Sequence, residues 1–414
     1  MTVKNVAFIL YRYPLGVSSM IVNSIRLFAR KGCAVDVYVN SEHYDQAPIT
    51  FDEPGINVIR FDESRLCFFF RVYRYISRQV GDYFLPLARR LPREITMLLF
   101  FPGVYRFMKW LNHHVGRTRY SLIVPVECMS LVCLMAIPDK QNIIYFNLEL
   151  LDWNKGDLVY GNNKRVLKEL EYGMIRQISR VVTPSPLRSD VFSEINAFER
   201  KNVFNLPVAP LGEGVERRSR FFRDMFRIPD THRVVLYSGQ FIPYFQCIEI
   251  IRSVARWPAG TVLIMHTWSR SGLKTRYFKE MKKAAEGAPV HFSTQYIGYG
   301  DLADALSSAD IGLAFYQALD DNYMEILFSS NKIGEYMKAG LGIVCSDFPS
   351  LKQFVEGHDI GKAVSVNDIP EAIKNVSEKI KTVRENVLRC YNENVRFENY
   401  FNVFYHQLEE ANDS

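Results

Sequence analysis

Short apolar runs recur along this chain, each closed by glycine, proline or small polar residues and followed by a stretch with helical periodicity. VAFILY, at 6–11, has no polar residue before its final tyrosine, the pattern of a strand buried on both faces of a parallel sheet. The loop RYPLGVSS, which contains Gly16, leads into MIVNSIRLFARKG, an amphipathic helix closed by Gly32. AVDVYV, INVIRF, SLIVPV, NIIYFNL and RVVTPS repeat the strand pattern, with helical stretches between most of them. Such alternation predicts a doubly wound α/β domain whose ligands gather beyond the carboxyl ends of its strands.

Proline and glycine crowd together in NLPVAPLGEG, at 205–214, and the alternation breaks there. It restarts with RVVLYSGQ, TVLIMHTW, PVHFSTQYIGY, DIGLAFY and GIVCSD. We therefore expect two Rossmann-like lobes facing a cleft, one at 1–207 and one at 208–390. An amphipathic C-terminal helix at 391–414 should pack back across the junction. The length of 414 residues agrees, being about two ordinary domains.

Apolar residues make up 48% and charged residues 23%, which excludes a disordered chain. No segment reaches the ~20 apolar residues of a membrane span, and the apolar run at the start is too short for a secretory signal. The seven cysteines are scattered and form no CxxC pair, which points to reduced core thiols of a cytoplasmic protein and to no metal site.

Charge changes the picture more. Between Arg65 and Arg119 lie eleven Lys or Arg against two acids, a net +9, so the rest of the chain carries −3 of the overall +6. The same window holds twelve aromatic residues, and Pro86, Pro92 and Pro102 divide it into helices too short to span. Cations mixed with aromatic rings suit an anionic bilayer surface, with Arg71, Arg74, Arg89 and Arg90 meeting lipid phosphates. An ordinary lobe core with arginines lying over it is the alternative. A nucleic-acid surface lacks any recognisable motif.

The densest chemistry lies in SSNKIGEYMKAGLGIVCSD, at 329–347. Small polar residues Ser329, Ser330 and Asn331 lead into a helix whose N-terminal amides suit an anion. Lys332 adds a point charge suited to a phosphate. Glu335 lies near the same face one turn on, where a carboxylate can accept from two vicinal hydroxyls, as on a ribose. Phosphate and ribose together mean a nucleotide. The alternative is a helix capped by serine or asparagine with both charges solvated.

This stretch resembles the donor motif of GT-B-fold glycosyltransferases, K-x-x-E-Y-M-x-x-G followed by a strand G-x-P-V-V. The resemblance extends through VVLYSGQF, YGDLADALSSADIGLAFY and SDFPSLKQFVEGHDIGKAV in the C-terminal lobe. In the N-terminal lobe it rests on Gly16 and on IIYFNLEL, which is similar to Y-x-x-x-E-L. It implies that Lys332 contacts the donor diphosphate and Glu335 the ribose, with no cofactor and no metal ion. Two departures stand out: Leu327 occupies the position of a second glutamate, and Gly342 that of the proline. The chain also lacks the D-x-D of metal-dependent GT-A enzymes.

Carboxylates at the C-ends of N-lobe strands nominate Glu127 and Glu149 as catalytic, with Asp152 as a weaker third. Their plainer roles are a helix cap for Glu127 and an arginine pair for Glu149. His266, after TVLIM, could touch the donor or simply be satisfied at a strand end. Gly239 lets backbone approach phosphate or makes a tight turn. The reading is a cytoplasmic glycosyltransferase, peripheral on the inner face of the membrane, that moves sugar from a nucleotide donor to a lipid-linked glycan or glycolipid in surface polysaccharide assembly. A nucleotide-sugar 2-epimerase and a non-catalytic sugar-nucleotide-binding subunit are the alternatives. A dehydrogenase is disfavoured, because YRYPLGVSS is not G-x-G-x-x-G.

Overall fold

The computed structural model of the protein describes residues 3–62, 86, 89–116, 118–137, 142–153, 164–269, 272–319 and 321–413. Its contacts divide into two compact units, Met1–Pro207 with Tyr400–Ser414, and Val208–Asn399.

In the first unit, β1 (Asn5–Leu10), β2 (Ala34–Asn40), β3 (Ile56–Phe61) and β4 (Leu122–Pro125) form a parallel sheet in the order β3-β2-β1-β4. A second parallel sheet holds β5 (Ile144–Phe146), β6 (Arg180–Thr183) and β7 (Val203–Asn205). Bridges Ile123↔Ile143 and Val126↔Phe146 join the two sheets side by side. β1 is buried at every position after Asn5, as its unbroken apolar run predicts. Strand order reverses at β1, so the loops after β1 and β4 flank the crevice where such sheets bind ligands.

The helices Arg93–Phe100 and Pro102–Val115 come from the basic aromatic window. Phe100, Phe101 and Phe107 are buried in the unit's core, and Tyr105 and Trp110 pack against it. The rings at 100–110 therefore face inward, contrary to the expectation that they meet a bilayer. The reason is amphipathicity: on the second of these helices Phe107, Met108 and Leu111 share the inner stripe, and Lys109 lies outside. Arg71 and Arg74 lie outside the described residues; Arg89 and Arg90 are exposed.

In the second unit, six parallel strands run in the order β10-β9-β8-β11-β12-β13. They are β8 (Arg233–Ser238), β9 (Thr261–His266), β10 (Val290–Ser293), β11 (Ile311–Ala314), β12 (Gly342–Ser346) and β13 (Gly361–Val364). The order reverses between β8 and β11, which marks the crevice at their carboxyl ends. Asp310 heads β11 with no exposed side-chain surface. It accepts from Val234 N and Arg223 Nη2, and Arg218 Nη1 lies 2.8 Å from its other oxygen. These bonds compensate for a buried carboxylate that would otherwise be strongly destabilising.

Two helices stand where one was expected at 391–414: Ile380–Asn394 ends before Val395, and Phe397–Asp413 follows. Residues from Tyr400 onward belong to the first unit, where Phe401 packs 5.0 Å from Phe28 and Phe404 lies 5.6 Å from Phe204. The six described cysteines are buried free thiols.

Candidate functional site

In the second unit the site assembles around the helix Asn331–Lys338. Ser330 is its N-cap residue by backbone geometry, yet its side chain makes no capping bond and its hydroxyl pairs instead with Tyr316 Oη. The Ser330 side chain therefore does not cap the helix opening, and the positive end of the helix dipole keeps its attraction for an anion. Ser329 Oγ donates to the Glu325 carbonyl at 3.3 Å. Asn331 is the first helical residue.

Lys332 Nζ sits 3.5 Å from the Phe245 ring centre, 4.8 Å from Tyr316 and 5.2 Å from Tyr237. Among the described residues no carboxylate pairs with it and no acceptor takes its protons. Desolvation pushes its ammonium down to about 7, while the ring faces favour the charged form. Gly239 makes the room. A Cβ there would lie 2.5 Å from Lys332 Cε, and its φ of +155° suits glycine.

Glu335 is 6% exposed, and among the described residues no donor reaches its carboxylate. Burial pushes it up to about 7, and Lys338 opposes the shift. Lys332 and Glu335 are thus not the solvated pair of the plainer reading. Tyr336, the next residue, anchors the helix: its hydroxyl accepts from Ser238 N at 2.7 Å and lies 3.3 Å from the Leu313 carbonyl. Gly312 leaves space for that ring, since a Cβ would come within 2.4 Å of it.

His266 ends β9 beside this group. Its carbonyl accepts from Gly239 N at 3.0 Å, and its Nδ1 pairs with Ser293 Oγ at 2.9 Å. Burial lowers it to about 4, so the ring is neutral at pH 7. The structure thus brings Gly239, His266, Ser330, Lys332 and Glu335 to one end of the second unit's six-stranded sheet.

In the first unit, Glu127 opens the helix Glu127–Val132 directly after β4, at φ +66°. That is strained backbone for a glutamate. Its Oε1 accepts from Leu148 N at 2.9 Å and Glu149 N at 3.1 Å, which ties the end of β4 to the loop after β5. Its Oε2 is buried without a hydrogen-bond partner among the described residues. Burial and the charge of Glu149 raise its carboxyl well above the usual range. Glu149 itself has half its side chain exposed, 4.0 Å from buried Arg188. Asp152 is partly buried four residues beyond Leu148. Gly16 makes close contact elsewhere: its N–H donates to the Ala47 carbonyl, and a Cβ would lie 2.6 Å from that oxygen.

Several residues escaped the sequence reading. Phe245, Tyr237 and Tyr316 come from two different loops and a strand, and nothing local marks them as companions of Lys332. Beneath Glu149, Lys168 Nζ donates to Glu171 Oε2 at 2.8 Å, Tyr145 Oη to Glu171 Oε1 at 2.7 Å, and Asn147 Nδ2 to the Glu149 carbonyl at 3.0 Å. Tyr13 is another. Desolvation, then the Glu127 and Glu149 charges, push its phenol up.

No protein-family model matches the sequence, and no curated protein matches it significantly. Solved structures do. Sucrose-phosphate synthase from Thermosynechococcus elongatus is similar at a TM-score of 0.68 and 15% identity, over 99% of this chain and 100% of that one. WaaG, a glycosyltransferase involved in lipopolysaccharide biosynthesis, is similar at 0.62 and 15%, over 95% and 96%. Anabaena Alr3699/HepE in complex with UDP and glucose is similar at 0.66 and 13%, over 98% and 99%. At these identities the likeness is one of fold.

Proposed function

We propose that this chain, which has the GT-B fold, is a glycosyltransferase that moves a sugar from a nucleoside-diphosphate sugar to a hydroxyl group. One observation carries the reading. At the opening of one helix, a lysine ammonium lies against three aromatic rings and, among the described residues, has no acceptor, while a buried glutamate has no hydrogen-bond donor there. Desolvated charges without partners are unfavourable and persist where a ligand completes them. A diphosphate supplies the missing anion, and two vicinal ribose hydroxyls supply the missing donors. The UDP and glucose bound by HepE are of this chemistry.

As the sugar–phosphate bond breaks, negative charge grows on the leaving diphosphate. Lys332 and the positive dipole end of the helix Asn331–Lys338 stabilise it there, so we assign that role to protein groups and expect no metal ion. From the first unit we nominate Glu149, whose side chain is half exposed, to take the acceptor hydroxyl's proton, while Glu127 holds its backbone in place. We further propose a lipid-linked glycan or glycolipid acceptor, surface polysaccharide assembly, and a peripheral position on the cytoplasmic face of the membrane. The support is the local net +9 and the absence, among the described residues, of any helix long and apolar enough to cross a membrane.

Thermal-shift screening with UDP, GDP, ADP and their sugar conjugates tests the donor site. A ligand at 100 times its dissociation constant stabilises by about 2.7 kcal/mol, which is readily seen. Lys332→Ala and Glu335→Ala should each abolish the shift. An undiminished response in both variants would put the nucleotide elsewhere.

A further inference from the structure

The helix Arg93–Phe100 is apolar on two sides. Thr96, Met97 and Phe100 are buried in the first unit, whereas Ile95, Leu98 and Leu99 are 43, 40 and 36% exposed. At roughly 100° per residue, positions 95, 98 and 99 form one contiguous stripe, on the side away from the buried three. A single exposed leucine is ordinary, but three aliphatic residues grouped on one outer stripe mark an interaction surface.

The surroundings of the stripe are cationic. Arg89 and Arg90 lie exposed just before it, and Arg106 and Lys109 lie on the following helix, Pro102–Val115. Glu94 is the one acid between 89 and 119, and Lys109 Nζ lies 3.5 Å from it. Arg89 pairs with Glu169, while Arg90 and Arg106 have no partner among the described residues. Apolar residues projecting outward in a locally cationic stretch of chain fit a surface that is apolar beneath an anionic layer.

We propose that this stripe docks on an anionic lipid bilayer, with Ile95, Leu98 and Leu99 entering the boundary between headgroups and acyl chains while Arg90 and Arg106 meet lipid phosphates. Two features favour a bilayer over a protein partner. An eight-residue helix is about 12 Å long, too short to supply the roughly 800 Å² per partner of a stable protein interface. A bilayer needs only shallow insertion, and its negative surface complements the excess positive charge here. The inference extends the membrane part of the proposed function; its test uses no nucleotide, so it stands or falls separately from the donor site.

The test is flotation of the full chain with vesicles of phosphatidylcholine, with and without phosphatidylglycerol. The wild type should float with the anionic vesicles and stay behind with neutral ones. Changing Ile95, Leu98 and Leu99 together to Ser should weaken partitioning by about tenfold or more. Arg90→Ala should weaken it about fivefold. Because all of these positions are exposed, melting temperatures should hold. In a Leu98→Trp variant, brominated lipid should quench the new indole, which reports insertion of this helix and not binding by some other surface. Unchanged partitioning of the triple-serine variant, no flotation of the wild type, or an unquenched Leu98→Trp would each overturn the proposal. So would a dimer that the triple change converts to monomer while vesicle binding persists, since a second copy would then be the occupant.

Discussion

Lys332 and Glu335 sit at one helix end with opposite, unmet electrostatic needs, and their ionisation sets a pH dependence of its own. Glu335 is raised from 4.5 to about 7, so the folded chain holds a proton that the unfolded chain releases. Its contribution to stability is full below about 4.5 and is lost as pH rises through 7. Lys332 is lowered from 10.5 to about 7, so the unfolded chain binds the extra proton; stability is full above about 10.5 and is lost as pH falls through 7. Both penalties are therefore in force near neutral pH. Glu335→Gln should raise the melting temperature at pH 8 and lose that advantage toward pH 5. Lys332→Met should do so at pH 6 and lose it toward pH 10, less strongly because the three rings favour the cation. Each gain should be on the order of 1–2 kcal/mol, or several degrees. Calorimetry across pH checks this: variants no more stable than wild type at any pH would show that neither group is strained in the empty site. The residue pair was legible in the sequence because both members lie within four positions of each other. Its aromatic surroundings were not, because Phe245 and Tyr316 lie 87 and 16 residues before Lys332 and meet it only through the fold.

At the scale of elements, the sequence showed the strands well. A strand buried on both faces, such as β9 or β12, must be a continuous apolar run, and that pattern is visible without knowing its neighbours. How the helix Asn331–Lys338 is aimed was not visible. Its capping serine bonds to Tyr316 instead of its own amides, and Tyr336 reaches Ser238, 98 residues away in sequence. Two glycines supply clearance, Gly312 for the Tyr336 ring and Gly239 for the Lys332 stem. Tyr336→Phe leaves Ser238 N–H without that acceptor and should destabilise by about 1–3 kcal/mol. Gly239→Ala should act differently, pushing Lys332 aside and weakening nucleotide binding about tenfold or more, the scale of one charge-assisted hydrogen bond. Titration calorimetry with UDP, set beside melting curves, separates the two. If Gly239→Ala bound UDP normally, the close approach would serve only the turn.

For the whole molecule, the break at 205–214 was legible because proline and glycine interrupt a regular alternation. The return of the chain's end was harder to read, since an amphipathic pattern does not name the surface it covers. The structure shows that surface: Phe401, Phe404, Tyr405 and Leu408 are buried in the first unit, where Phe28, Phe146 and Phe204 pack against the aromatic three. The first core is therefore closed by residues some 200 positions beyond its other members, whereas the second, Val208–Asn399, is continuous. Each large buried side chain is worth roughly 2–5 kcal/mol. Four together rival the roughly 5–15 kcal/mol that holds a domain folded. Ending the chain after Asn399 should abolish the first unit's melting transition and spare the second unit's. UDP should raise only the surviving transition, because Lys332 and Glu335 lie within it. Differential scanning calorimetry of the full and shortened chains, each with and without UDP, measures this. A single transition that both the truncation and the nucleotide displace would mean that the two cores melt as one cooperative body and that ligand binding in the second is felt throughout.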